Sequence, residues 1–167
     1  VACGPVNVAE QSRIGDCEAD KFIGREINGG ILSFGERRSR YCLPKKIPTK
    51  SAPAVAEALC STLLPVKDKV LTITSDNGIE FMRHQTIAKI LNADFFFADP
   101  YSSWQRGTNE NTNGLVRQYF PKKTDFTKLS DSDLQLVNNR LNNRPRKVLP
   151  FRTPNDAFSN PFLAFIN

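Results

Sequence analysis

The spacing of apolar residues changes near residue 51, and this change limits the folds that the chain can adopt. Before it, tight turns separate three short β-prone segments, around residues 18–24, from Ile31 onward and around residues 41–43. Over residues 51–64 the apolar side chains recur instead at helical spacing, and Pro65 ends that run. The first part therefore predicts an antiparallel three-stranded meander, and the second part predicts a helix.

Strand-like and helical patterns alternate through the rest of the chain. We expect a buried strand, a helix, a short apolar strand and another helix at residues 70–74, 79–91, 95–97 and 107–120. Ser130, with Asp133 three residues later, predicts the N-cap of a last helix that ends near Asn143. Regular structure is then expected to be broken by four prolines, Pro145, Pro150, Pro154 and Pro161.

This order of elements predicts an α/β domain with a mixed five-stranded sheet flanked by helices. A three-stranded meander, a helix and then a parallel strand is the order of the ribonuclease H-like fold. The first strand and the strand after the first helix are neighbours in that order. We assign residues 1–14 to an N-terminal arm, residues 15–120 to the core, and residues 121–167 to a basic helical C-terminal extension of the same domain.

The excess of basic residues lies in one C-terminal segment. The net charge of the chain is +6, and residues 117–152, with nine Lys or Arg and three Asp, carry +6 by themselves. Residues 1–116 carry +1 and residues 153–167 carry −1. Clustered basic charge is typical of a phosphate-binding surface. Charge alone fits a solvated face that keeps the protein soluble equally well.

Several classes of protein do not fit this composition. No run of eighteen apolar residues predicts a membrane span, and residues 1–8 lack the pattern of a signal peptide. The absence of an initiator Met is expected of a fragment. The cysteines, Cys3, Cys17, Cys42 and Cys60, form no Cys-x-x-Cys pair, so we predict reduced thiols in a cytoplasmic protein and no zinc site.

Three carboxylates occupy positions that suit phosphodiester chemistry. Breaking and rejoining a phosphodiester can use two metal ions roughly 3.5–4 Å apart, and Mg²⁺ prefers carboxylate ligands. Asp20 lies on the first predicted strand, Asp76 directly follows the buried strand, and Glu110 lies near the start of a helix. Open α/β sheets place their sites at the carboxyl ends of the strands. Spacing alone does not select this set. Glu18 lies on the same strand face as Asp20. Three further acidic candidates are Asp16, Glu80 and Asp99.

Four sequence motifs carry a family resemblance. Residues 74–81, Thr-Ser-Asp-Asn-Gly-Ile-Glu-Phe, resemble the Asp-Asn-Gly-x-x-Phe segment of retroviral integrases and related transposases. Residues 98–114, which include Trp-Gln-Arg-Gly-Thr-Asn-Glu-Asn, resemble more specifically the bacterial transposases of the insertion-sequence-thirty family. Residues 142–147 followed by Arg-Thr-Pro at 152–154, and residues 13–20, resemble other motifs of that family. The resemblance runs from about Val6 to Phe158.

The resemblance implies that Asp20, Asp76 and Glu110 are a catalytic Asp-Asp-Glu triad that binds two Mg²⁺ ions, for which Mn²⁺ can substitute. The family has thirty-three residues between its second Asp and its Glu, as this chain has. Two departures are Cys17, where the family usually has Trp, and Ser103, where it usually has Pro. Loss of the aromatic side chain at position 17 is expected to leave a packing defect, which puts full activity in doubt.

The activity implied by the resemblance is cleavage of DNA at the ends of an insertion sequence, followed by strand transfer to target DNA. The candidate DNA contacts are polar, basic or aromatic residues near the triad and in the basic segment: Trp104, Gln105, Arg106, Asn109, Asn113, Arg117, Lys122, Lys123, Arg144, Arg146, Lys147 and Arg152. For Trp104 the alternative is a structural role in its loop. For Asn109 and Asn113 the alternative is capping of the helix.

Two other functions stay open at this point. One is a ribonuclease H-type nuclease that acts on RNA–DNA hybrids, and the other is a decayed remnant that binds DNA without cutting it. Family members carry an N-terminal helix-turn-helix region that reads the element ends, and no such region is evident in this sequence. The resemblance implies action at the bacterial nucleoid. Transposases commonly act as homo-oligomers, but no heptad pattern in this sequence bears on that.

Overall fold

A mixed five-stranded sheet forms the centre of the protein. The computed structural model describes residues 13–22, 29–99 and 107–160. The strands are β1 (Asp16–Phe22), β2 (Gly30–Glu36), β3 (Cys42–Ile47), β4 (Thr72–Ser75) and β5 (Asp94–Phe97). Their order across the sheet is β3-β2-β1-β4-β5. β1, β2 and β3 pair antiparallel, whereas β4 pairs parallel with both β1 and β5. The predicted meander and mixed sheet are therefore confirmed.

Five α-helices lie within the described residues: α1 (Ala52–Leu63), α2 (His84–Leu91), α3 (Gly107–Tyr119), α4 (Asp131–Asn142) and α5 (Pro154–Ser159). Short 3₁₀ turns occupy Leu64–Lys69, Ile79–Phe81 and Phe126–Lys128. None of the helices within the described ranges is both long enough and apolar enough to cross a membrane.

The predicted helix over residues 79–91 was wrong in its first half. A 3₁₀ turn over Ile79–Phe81 comes first, and α2 begins only at His84, because Arg83 departs from helical dihedral angles (φ −87°, ψ 21°). Apolar spacing misled the prediction here. The side chains of Ile79 and Met82 are 79% and 72% exposed. Phe81 is the only one of the three apolar side chains in residues 79–83 that is fully buried.

Pro154 starts a helix, contrary to the prediction that it would break one. It stands in the first turn of α5, where its missing N–H removes no helical hydrogen bond. Thr153 and Asp156 form a reciprocal capping box at this end of the helix. The same box was predicted for α4 and is confirmed there between Ser130 and Asp133.

Two main clusters of buried side chains lie on opposite faces of the sheet. One joins β1, β2 and β4 to α1 and α2, and it contains Cys17, fully buried, whose thiol donates a hydrogen bond to the Gly15 carbonyl. The other joins Phe22, Ile31 and Cys42 of the meander to α3, Phe126 and α4. Side chains of the predicted core, residues 15–120, and of the predicted extension, residues 121–167, thus pack in the same cluster. Cys17, Cys42 and Cys60 are free thiols, as predicted, whereas Cys3 lies outside the described residues.

Candidate active site

Asp20 lies within β1, two residues before the last residue of that strand, and Asp76 directly follows β4, the parallel neighbour of β1. In the parallel pair of β1 and β4, Glu18 lies opposite Thr74. The same register, continued for two residues, would set Asp20 level with Asp76. Adjacent strands are about 4.8 Å apart. Both aspartates are partly exposed. The strand order therefore brings two carboxylates to one edge of the sheet, at the carboxyl ends where open α/β folds carry their sites.

A short hydrogen-bond network orients the Asp20 carboxylate. Its Oδ1 accepts from the backbone N–H of Lys21 at 2.8 Å, and its Oδ2 accepts from Nδ2 of Asn113 at 2.9 Å. Ser33, opposite Asp20 on β2, donates its hydroxyl to Oδ1 of Asn113 at 2.7 Å, which fixes the orientation of that amide. These contacts fix the direction in which the carboxylate of Asp20 points.

Asp76 is held in a tight turn. Its Oδ1 accepts from the backbone N–H of Gly78 at 3.1 Å, a side-chain-to-backbone turn of the kind that Asp forms readily. Glu80, 4% exposed, forms an ion pair with Lys21 of β1. A Cβ atom at Gly78 would lie 2.5–2.6 Å from the Glu80 carboxylate, so a side chain at this position would displace that carboxylate. The turn is thereby tied to the strand that carries Asp20.

Glu110 is an exposed residue in the first turns of α3. On that helix Thr108 and Thr112 face β2, near Gly35, while Asn109 and Asn113 reach β1. Glu110 follows Asn109 by about 100° of helical rotation, on the exposed side of α3. Within the described ranges, no three His, Cys, Asp or Glu side chains are grouped closely enough to hold a metal ion. The three-carboxylate metal site therefore stays a prediction.

The structure distinguishes Glu18 from Asp20, which spacing alone did not. Glu18 is 1% exposed, its Oε1 lies 2.9 Å from Nε of Arg37, and its Oε2 accepts from the backbone N–H of Asn109 at 2.7 Å. Burial raises the pKa of Glu18, and Arg37 and the helix N–H groups oppose that rise. A carboxylate so fully engaged with protein groups is a poor candidate for a metal ligand.

The predicted DNA contacts near α3 fall in different environments. Trp104, Gln105 and Arg106 lie outside the described residues. Asn109 is fully buried beside Gly35 and does not reach solvent, so its predicted DNA contact is replaced by a packing role. Asn113, also a predicted DNA contact, holds Asp20.

Three basic candidates follow in and after α3. Arg117 is partly buried, with its guanidinium 4.8 Å from the centre of the Phe22 ring, and burial lowers its pKa. Lys122 and Lys123 are exposed.

The basic residues between α4 and α5 also differ in exposure. Arg144 and Lys147 are exposed, and Arg152 is partly exposed. Arg146 is partly buried, its Nη2 donates to the Leu141 carbonyl at 2.9 Å, and burial lowers its pKa. Arg144 and Lys147 are therefore better placed than Arg146 for phosphate contacts.

Sequence reasoning did not assign a role to Ser33, Lys21 or Arg37. Ser33 carried a usable signal, because it stands in an apolar strand that pairs with the strand of Asp20. The partners of Lys21 and Arg37 depend on how the turn after β4 and helix α3 pack, and no local pattern indicates those contacts.

Known proteins place this geometry in context. No protein-family model matches the chain. The transposase for insertion sequence element IS4351 of Bacteroides fragilis is 44% identical over 154 residues, which cover 92% of this chain and 47% of that protein. Transposase InsI for insertion sequence element IS30A of Escherichia coli (strain K12) is 40% identical over 151 residues, which cover 90% of this chain and 39% of that protein. The chain is a relative of the insertion-sequence-thirty transposases. This transposase relative spans less than half the length of the two curated proteins.

The fold of the transposase relative is also found in a solved structure. The catalytic core domain of BIV integrase superposes with a TM-score of 0.68 over 87% of this chain and 93% of that one, at 21% sequence identity. The predicted ribonuclease H-like fold is thereby confirmed.

Proposed function

We propose that this chain is the catalytic part of a transposase that cleaves DNA at the ends of an insertion sequence and joins the freed 3′ ends to target DNA. The observation that carries the proposal is the parallel pairing of β1 with β4, in which Glu18 lies opposite Thr74, each two residues before Asp20 and Asp76 respectively. Similarity to two insertion-sequence transposases supports it. Glu110, an exposed residue of α3, is the third proposed ligand.

The donor set suits a divalent cation. Carboxylate oxygens are the ligands that Mg²⁺ prefers, and substrate phosphates normally complete its coordination. Two such ions, when bound, would supply activation of the attacking oxygen and stabilisation of the leaving oxygen. Asp20, Asp76 and Glu110 would hold the ions. Asn113 and the backbone of Lys21 hold the Asp20 carboxylate in one orientation.

The chain's other residues bind and orient DNA in this proposal. Arg144, Lys147, Lys122 and Lys123 contribute positive charge at exposed positions. Phosphate contacts position a duplex but carry no base information. The chain by itself is therefore expected to bind DNA with little sequence preference, and its affinity should fall steeply with salt.

The substitution Asp76→Asn tests the proposal. It preserves shape and removes the charge that holds the cation, so Mg²⁺- or Mn²⁺-dependent nicking and joining of labelled DNA should be lost in a folded protein. Asp94→Asn is the matched control. Asp94 is an exposed carboxylate at the start of β5, the parallel strand next to β4, whereas Asp76 follows the end of β4. That control should cut DNA at the wild-type rate.

Three results would contradict the proposal. Undiminished cleavage by the Asp76→Asn protein excludes the triad. A wild-type protein that binds DNA but neither cuts it nor binds Mn²⁺ is a decayed remnant. Cleavage confined to the RNA strand of RNA–DNA hybrids indicates a ribonuclease H-type nuclease.

A further inference from the structure

Glu18 is a buried carboxylate for which the proposed mechanism has no use. It lies two residues before Asp20, on the same face of β1. One carboxylate oxygen faces Arg37, which is itself 2% exposed, and the other accepts the backbone N–H of Asn109. A buried ion pair between β1 and the turn after β2 is thus also attached to α3.

The contact lies at the N-terminal end of α3, where the first backbone N–H groups of the helix need hydrogen-bond acceptors. The first N–H groups of a helix have no partner within the helix, and a carboxylate there is favoured by the helix dipole. The hydroxyl and the backbone N–H of Thr108 also hydrogen-bond to Glu18. Arg40 in turn donates from Nη1 to Oγ1 of Thr108 at 2.7 Å. Glu18 therefore caps α3 from a different element of the fold.

Two contacts between β1 and α3 follow one another along both elements. Asn109 to Asn113 advances about 6 Å along the helix axis. Glu18 to Asp20 advances about 6.6 Å along the strand. The two advances are similar, and Glu18 contacts Asn109 while Asp20 contacts Asn113. Glu110 lies between the two helix positions.

We propose that Glu18 is a positioning residue, which fixes Glu110 relative to Asp20 by holding the first turn of α3 on β1. The inference rests on the proposed function, because it assigns Glu110 a place in the metal site. Gly35 permits this close packing, since a Cβ atom there would lie 3.3 Å from Oδ1 of Asn109. Glu110 directly follows Asn109, so a loosened first turn displaces it.

A double variant separates positioning from simple stabilisation. Glu18→Met combined with Arg37→Met replaces the ion pair by apolar side chains of similar length, a change that proteins often tolerate without loss of stability. It removes the acceptor for the first turn of α3. We expect a melting temperature near that of the wild type and amide exchange at Asn109 faster by at least about tenfold. We also expect Mn²⁺ affinity, read from the paramagnetic resonance signal of free Mn²⁺, to fall about tenfold.

Two further variants complete the test. Glu18→Gln keeps a side-chain carbonyl that can accept from Asn109, so it should restore most of the exchange protection and Mn²⁺ affinity, and it serves if the double variant does not fold. Glu36→Met is the control, because Glu36 is an equally buried carboxylate whose acceptor contacts go to Gly15, Arg38 and Ser39. It should leave the Asn109 amide and Mn²⁺ affinity unchanged.

The outcomes distinguish this inference from the proposed function. If Mn²⁺ affinity is unchanged in the folded double variant but falls in Asp76→Asn, Glu18 is structural only and the inference is overturned. The same holds if exchange at Asn109 keeps its wild-type rate. If Asp76→Asn leaves Mn²⁺ affinity unchanged, the proposed metal site itself is refuted, and the positioning role is refuted with it.

Discussion

Replacing Asn142 by Ala should test whether helix α4 belongs to the same cooperative unit as the sheet. Asn142 is 2% exposed at the end of α4. Its Oδ1 accepts from the backbone N–H of Cys42 at 3.0 Å, and its Nδ2 donates to the Cys42 carbonyl at 2.7 Å and to Oδ1 of Asn138 at 2.5 Å. β3 is an edge strand of the sheet, so this amide pairs with strand groups that have no neighbouring strand.

The cost of the substitution follows from those contacts. It removes three hydrogen bonds and leaves two buried backbone groups of Cys42 without their partner. At about 1–3 kcal/mol for each buried group left unpaired, we expect a loss of about 2–4 kcal/mol, because water entering beside α4 recovers part of the cost. For a protein of this size, that loss lowers the melting temperature by about 5–15 °C.

Thermal and urea unfolding, followed by circular dichroism, measure this loss. Asn143→Ala is the matched control, since Asn143 is exposed and bonds only to Asn139 and Asn155 among the hydrogen bonds described for it. That variant should melt within about 2 °C of the wild type, as surface substitutions usually do. If Asn142→Ala also melts that close to the wild type, or if a separate early transition appears, α4 is not an integral part of the fold.

Three other predictions concern an ion pair, a thiol and the basic segment. Glu80→Gln should leave Lys21 without its charged partner, lower the free energy of unfolding by about 1–3 kcal/mol and weaken Mn²⁺ binding beside Asp76, as measured by urea unfolding and metal titration; unchanged values in both would remove this pair from the site's support. Burial raises the pKa of Cys42 to about 12, so about one thiol in a thousand is ionised at pH 9, and mass spectrometry should find it alkylated only after unfolding; rapid labelling of the folded protein would contradict this. Replacing Arg144 and Lys147 by Ala should weaken binding to every DNA sequence alike and flatten the slope of log affinity against log salt by about 2, and an unchanged slope would place both residues off the DNA path.

The fold could be predicted largely because periodicity is a local property. The meander, α1, β4, β5 and α3 all form where local sequence patterns predict them. The prediction failed at Ile79 and Met82, whose apolar side chains are exposed, and at Pro154, where the position in the first turn matters more than the residue type. The division of the chain at residue 120 stays a prediction.

The candidate site could be predicted only where it depends on strand order. Asp20 and Asp76 follow from the neighbouring positions of β1 and β4. The separate role of Glu18 could not be predicted, because it arises when the first turn of α3 packs against β1. Burial of Asn109 and partial burial of Arg146 come from the same kind of long-range packing, which residue type does not indicate.

The paired contacts from β1 to α3 have a consequence for insertions and deletions. Tertiary hydrogen bonds at Asn109 and Asn113 set the register of α3 on β1. A residue added between Asn109 and Asn113, or between Glu18 and Asp20, would change the spacing between the two contacts and break one of them. Natural variants of this protein should therefore keep their length within both of these segments.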